Sequence, residues 1–122
     1  MAVLTEAIVK KSFRSPDEVR EALLTRIEML NLGENVIAKT ILQPGWRWST
    51  HLKPTMGTDL CEVEHLGYCL SGRLHVMLAD GSEQDIVPDD LVRIPPEHDA
   101  WVVGNEPFVF LDFTGGKSFS KR

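Results

Sequence analysis

From Gly33 onward, short runs rich in Val, Ile, Leu and aromatic residues alternate with the breakers GEN, QPG, KPTMG, SG, ADGS, VPDD, IPPE and GNEP. Breakers this closely spaced leave room for strands but not for helices of ordinary length. The pattern predicts strands over 26–32, 35–43, 46–53, 60–70, 73–79, 83–87, 90–94, 99–104 and 107–113. ADGS is the clearest hairpin, because the pair Asp80-Gly81 tolerates a tight primed turn. The N-terminal part reads differently. SPDE at 15–18 is a capping box: Ser15 accepts from the amide three residues on, Pro16 fits the first turn, and Glu18 reaches back. It predicts a short helix over 16–24 with Val19, Ala22 and Leu23 on one face, while the following TRIEMLNL fits a strand. Many short strands with turns between them indicate an all-β sandwich or small barrel.

Composition bounds this picture without changing it. The chain has 122 residues, 43% of them hydrophobic, which matches one domain with one real core. The expected layout is a single domain over 1–122, with an N-terminal extension at 1–25, a barrel at about 33–114 and a polar tail at 115–122. Eighteen acidic against 13 basic residues give a formal charge of −5, and no basic run exceeds a dipeptide. Nothing there would neutralise a phosphate backbone, so nucleic acid is not an expected partner. The N-terminal MAVLTEAIVKKSF carries Glu6 and breaks at Lys10-Lys11, too short an apolar run for a signal peptide or membrane span. A soluble cytoplasmic protein is expected. GGKS at 115–118 ends like a phosphate loop, but Leu111 stands where that motif needs a glycine.

The chemistry-bearing residues are few. On an extended strand Cys61 and Cys69 would lie roughly 26 Å apart, far beyond disulfide reach, so both are expected as reduced, small apolar residues. Strand alternation puts Cys61, Val63, His65, Gly67 and Cys69 on one face of CEVEHLGYC, and Glu62, Glu64, Leu66 and Tyr68 on the other. His65 therefore sits in the small, apolar set, where an imidazole is either hydrogen-bonded in the core or lines a cavity. His75 alternates against Leu74, Val76 and Leu78 and belongs to the more polar face, outside any site.

The stretch from Gly45 to Phe113 resembles the cupin superfamily, whose small barrels carry two motifs. The first runs Gly, five residues, His-x-His, a spacer, Glu, six residues, Gly. Gly45, His51 and Lys53 cover its opening, and His65 and Gly72 its close, with Lys53 at the second histidine and His65 at the glutamate. The second runs Gly, five residues, Pro-x-Gly, two residues, His, three residues, Asn. Asp89, Pro95, Glu97, Ala100 and Gly104 occupy its marked positions, and His98 lies two residues before the expected histidine. The resemblance implies a cupin β-barrel of the jelly-roll (double-stranded β-helix) type, a homodimer, and a divalent cation held by His51, His65 and His98. His98 joins that set only if the PPEHD turn swings it inward. Zinc, iron, manganese, nickel and copper all accept imidazole.

Around this centre, Arg47, Trp48, Lys53 and Trp101 are the expected pocket residues: aromatic surface for a small organic ligand, and cations for its anionic group. Trp46, Trp48 and Trp101 equally suit core or dimer packing. Three functions are compatible with the residues. They are a metal-dependent oxygenase, isomerase or lyase acting on a small organic acid, a non-catalytic sensor or binding module, and a metal-free structural homodimer.

Overall fold

The computed structural model describes residues 7–51, 60, 61 and 63–114, with His51 described by its backbone alone. Its strands are β1 (Glu18–Ala22), β2 (Thr25–Leu32), β3 (Asn35–Leu42), β4 (His65–Ser71), β5 (Leu74–Leu78), β6 (Glu83–Ile86), β7 (Leu91–Ile94), β8 (His98–Val102) and β9 (Phe108–Asp112). One helical turn, α1 (Trp48–His51), interrupts them. Six strands form an antiparallel sheet in the order β1-β2-β3-β9-β4-β7, and three form a second in the order β6-β5-β8. Alternation packs the inward sets of both sheets against each other. Phe108 and Phe110 of β9 meet Cys69 of β4, Leu74 and Val76 of β5, and Ala100 and Val102 of β8 in one buried cluster. Each large side chain buried in this way contributes roughly 1.5–3 kcal/mol. Among the described residues the two sheets are not closed into a continuous barrel.

Three expectations are corrected. The stretch 16–24 is not a helix but carries strand β1. Ser15 donates its amide to the Ser12 carbonyl (3.0 Å) in a turn, and the Asp17 amide donates to Met29 O (2.9 Å), starting the β1–β2 ladder. Pairing along all five residues of β1 outweighs a local capping signal whose helix would have been only about two and a half turns long.

Of the strand expected over 46–53, the described residues 46–51 form none, and 52 and 53 lie outside the described residues. Arg47 makes a single antiparallel bridge to Trp101, and the chain then turns into α1. Asp99, buried on β8, causes this: its Oδ1 accepts from the Ser49 amide (3.1 Å) and its Oδ2 meets Arg47 Nε at 3.4 Å. Finally, 60–70 is not one strand, since β4 begins at His65 and Cys61 is bridged separately to His98. The two cysteines are free, buried thiols.

Gly72, which closes the first motif, has φ +81°, and a Cβ there would lie 2.3 Å from Pro107 O. Only glycine fits that approach. No helix among the described residues is long and apolar enough to cross a membrane.

Candidate metal centre

Residues 46–48 and Cys61 both lie along the edge of β8 that β5 leaves unpaired. Trp46 O accepts from the Val102 amide (3.0 Å), Arg47 faces Trp101, and Cys61 faces His98. The last contact is tight: Cys61 N donates to His98 O (2.8 Å), and Glu97 N and His98 N both donate back to Cys61 O (2.7 and 3.2 Å). Glu97 reaches this position with φ +67°, a left-handed conformation at the place where the second cupin motif has its glycine. Asp89, at that motif's first glycine position, likewise has φ +75°. The positive φ at Glu97 turns His98 inward, and its side chain is buried with 4% exposure.

Three potential ligand atoms thus meet from three segments: the Cys61 thiol, His65 at the start of β4, and His98 at the start of β8, all within 4.8 Å of one another. Cys61 Sγ is 3.9 Å from His65 Nε2, and the two imidazoles meet edge to face at 5.4 Å. The other ring nitrogens are committed. His98 Nδ1 donates to the Pro95 carbonyl (2.7 Å), and because a carbonyl only accepts, the lone pair of the neutral ring lies on Nε2. His65 Nδ1 donates to Asp112 Oδ2 (2.5 Å). Asp112, 1% exposed, is held by the Thr114 amide on Oδ1 (3.0 Å). A carboxylate or carbonyl behind each imidazole is what fixes a metal-binding ring in orientation and tautomer.

The electrostatics follow from this packing. Burial alone would raise the Cys61 thiol, but hydrogen bonds with His65 and His98 outweigh it and bring the thiol down to about 6. Burial would lower His65, yet the bonds to Asp112 and Cys61 outweigh it and push it up to about 9. Cys69 is the contrast: burial pushes its thiol up to about 11.

The centre lines a cavity of about 270 Å³ between the sheets. Of the residues expected at the site, His65 and His98 come together there, and Trp48 lines the same cavity. The His51 side chain and Lys53 lie outside the described residues, as do Glu62 and the GGKS stretch. Arg47 and Trp101 are not among the cavity-lining residues. They pack on each other, guanidinium to ring centroid 4.2 Å, because β8 alternation sends Asp99 and Trp101 away from His98 and Ala100. Glu64 pairs with Arg93, away from His65.

Two members of the cluster were not read from the sequence. Cys61 shares the parity of His65, which was a usable signal. Asp112 is the only acid in FVFLD, and it falls on the inward parity of Phe108 and Phe110.

No family model and no curated protein matches the chain. Solved structures do. A DUF1255 protein of unknown function from Acidithiobacillus ferrooxidans is 20% identical, with a TM-score of 0.59 over 81% of this chain and 88% of that one. An oxalate decarboxylase from Lactobacillus farciminis is 17% identical, with a TM-score of 0.60 over 81% of this chain but only 31% of the other. A sugar phosphate isomerase of the cupin superfamily from Silicibacter pomeroyi is 18% identical, with a TM-score of 0.53 over 75% of this chain and 59% of that one. The fold is that of the cupin superfamily. Within this cupin frame, the candidate centre is a Cys-His-His set.

Proposed function

We propose that the protein is a small metal-binding cupin that holds a divalent transition ion on Cys61, His65 and His98 and receives a small organic ligand in the adjoining cavity. The observation that carries this reading is the convergence of the three ligand atoms within 4.8 Å, with both imidazoles oriented from behind by Asp112 and Pro95. The donor set fits such an ion. Ligand atoms around tetrahedral zinc stand about 3.3–3.8 Å apart, close to the 3.9 Å between Cys61 Sγ and His65 Nε2. One thiolate with two imidazoles suits zinc, copper or iron better than manganese. Three protein ligands leave a coordination position for water or substrate, and the bound ion would supply Lewis acidity there.

An enzyme of the oxygenase, isomerase or lyase type is the preferred use, in line with the enzymes among the structural neighbours. A non-catalytic sensor is the alternative. The site is tested by metal analysis of untagged protein after dialysis against zinc. One equivalent is expected in the wild type and none in Cys61→Ala or His98→Ala. Equal metal in all three contradicts the reading.

A homodimer through the outer face of the six-stranded sheet is part of the proposal. Leu66, Leu70 and Leu91 are exposed there, Leu91 by 69%. Light scattering of the wild type and Leu91→Glu tests it: a dimer that becomes a monomer is expected, and a monomeric wild type overturns it.

A further inference from the structure

The cavity between the sheets has an almost entirely apolar surface. Ile27, Leu42, Leu74, Ile94, Phe108 and Phe110 line it, each on the inward parity of β2, β3, β5, β7 or β9. Trp46 and Trp48 add ring carbon to the walls, because their indole nitrogens are buried with essentially no accessible surface. The polar lining groups are turned to other partners. Asp112 holds His65 and the Thr114 amide, His98 Nδ1 is on the Pro95 carbonyl, and Thr25 Oγ1 donates to Leu23 O (3.1 Å). At the exposed end, Arg20 pairs with Glu18 (2.6 Å) and Glu21 with Arg26 (3.3 Å), so both guanidiniums beside the mouth are already engaged. Thr40 adds one hydroxyl, on β3 opposite Ile27 and Phe110.

These walls select by what a ligand must leave behind in water. A carboxylate or a set of sugar hydroxyls would exchange its hydration shell for carbon, and one or two hydrogen bonds do not offset that loss. A hydrocarbon gives up no hydrogen bonds on entry. It also restores the dispersion contacts that the facing walls of an unfilled cavity forgo. Size sets the upper limit. An apolar cavity of about 150 Å³ stays dry and holds benzene, so in proportion about 270 Å³ has room for about ten carbon atoms.

We infer that the cavity takes a neutral, hydrocarbon-like molecule of about ten carbon atoms, one ring with a short alkyl chain or its branched equivalent, and discriminates against carboxylic acids and sugars. This deepens the ligand part of the proposed function by naming a chemical class. It does not rest on the metal part, because the walls are apolar whether or not the Cys61–His65–His98 centre is filled.

The test is isothermal titration calorimetry of metal-stripped and zinc-loaded protein with butylbenzene, toluene, 3-phenylpropanoate and galacturonate. Zinc content is measured on the same samples. In both forms butylbenzene should bind at least about tenfold more tightly than toluene, whose shorter alkyl group leaves part of the space empty. It should also bind at least about tenfold more tightly than 3-phenylpropanoate, a carboxylate of nearly the same length, and galacturonate should not bind. Thr40→Phe fills the cavity from β3 and should weaken butylbenzene at least about tenfold. Ile27→Phe does the same from β2, so either variant serves if the other fails to fold. Thr40→Val removes only the hydroxyl and should leave butylbenzene binding unchanged. An acid or sugar that binds as tightly as butylbenzene in either form, or butylbenzene affinity unaltered in a folded Phe variant, overturns the inference. Protein that takes up zinc yet does not select butylbenzene sinks this inference alone. Protein that takes up no zinc but still selects it sinks the metal reading and supports the cavity assignment.

Discussion

His65 and His75 carry the same pair of atoms to different ends. Each places Nδ1 at 2.5 Å from an aspartate oxygen, His65 on Asp112 inside the sandwich and His75 on Asp85 on the outer face of the small sheet. The difference lies at the second nitrogen. His75 commits Nε2 to Glu83 (2.7 Å) and stacks on Trp101 with ring centroids 4.7 Å apart, beneath the Arg47 guanidinium. His65 turns Nε2 toward a thiol and a second imidazole at a cavity wall. His75 thus ends on two carboxylates, whereas the groups beyond Nε2 of His65, a thiol and a second imidazole, are themselves able to bind a metal.

The most direct way to break this contrast is to neutralise the two aspartates in turn. Asp112→Asn removes the charge from a largely buried pair and should lower stability in urea unfolding by about 3 kcal/mol. It should also weaken zinc binding by roughly 10- to 100-fold. Asp85→Asn, at a partly exposed and solvent-screened pair, should lower stability by less than about 1 kcal/mol and leave zinc binding alone. Equal effects would make the two pairs equivalent.

The thiols sharpen the same inside comparison in metal-free protein. Cys61, lowered from 9.0 to about 6, should react with a small alkylating agent with half-maximal rate near pH 6, and Cys69 only toward pH 11. Mass-spectrometric mapping of the alkylated residue checks this. The signs of the linked stabilities are opposite. The Cys61 shift is a depressed value, so its contribution is full above about pH 9 and is lost as pH falls through about 6. The His65 shift is a raised value, so its contribution is full below 6.5 and is lost as pH rises through about 9. The pair is therefore favoured between those limits.

A smaller effect is expected at the turn that delivers His98. Glu97 holds φ +67° without being a glycine, so Glu97→Gly should raise stability by about 1 kcal/mol in urea unfolding, with zinc binding retained. A destabilised variant would mean that the Glu97 side chain, not its backbone, fixes the turn. The smallest effect belongs to the outer histidine. The bonds to Glu83 and then Asp85 raise its pKa, so its contribution is present below the unfolded value and is lost as pH rises. His75→Gln should flatten only this minor part of the stability profile.

Much of the fold was legible because alternation and breakers are local signals. Seven of the strands, from 26–32 to 107–113, were readable in this way and formed with shifted ends. The failures came where a distant residue decided local structure. Met29 recruits residues after Ser15 into a sheet, and Asp99 gathers Arg47 and Ser49 into a bridge and a helical turn. At the centre, the resemblance marked His65 and His98 and identified the PPEHD turn as the condition for His98. The positive φ that makes the turn work sits on Glu97, a residue type that gives no hint of it. Cys61 read as a small apolar residue because its neighbours across the sheet edge are invisible in sequence. Asp112 became the partner of His65 only through the β4–β9 register.

Cobalt(II) titration of metal-free protein, followed by visible spectroscopy, tests the central claim most directly. The wild type and His75→Ala should each take up one equivalent and develop a thiolate-to-cobalt charge-transfer band. Cys61→Ser should lose the band, and both Cys61→Ser and His98→Ala should bind at least about a hundredfold more weakly. A wild-type spectrum without that band, or unchanged affinity in Cys61→Ser and His98→Ala, would contradict a centre built on Cys61, His65 and His98.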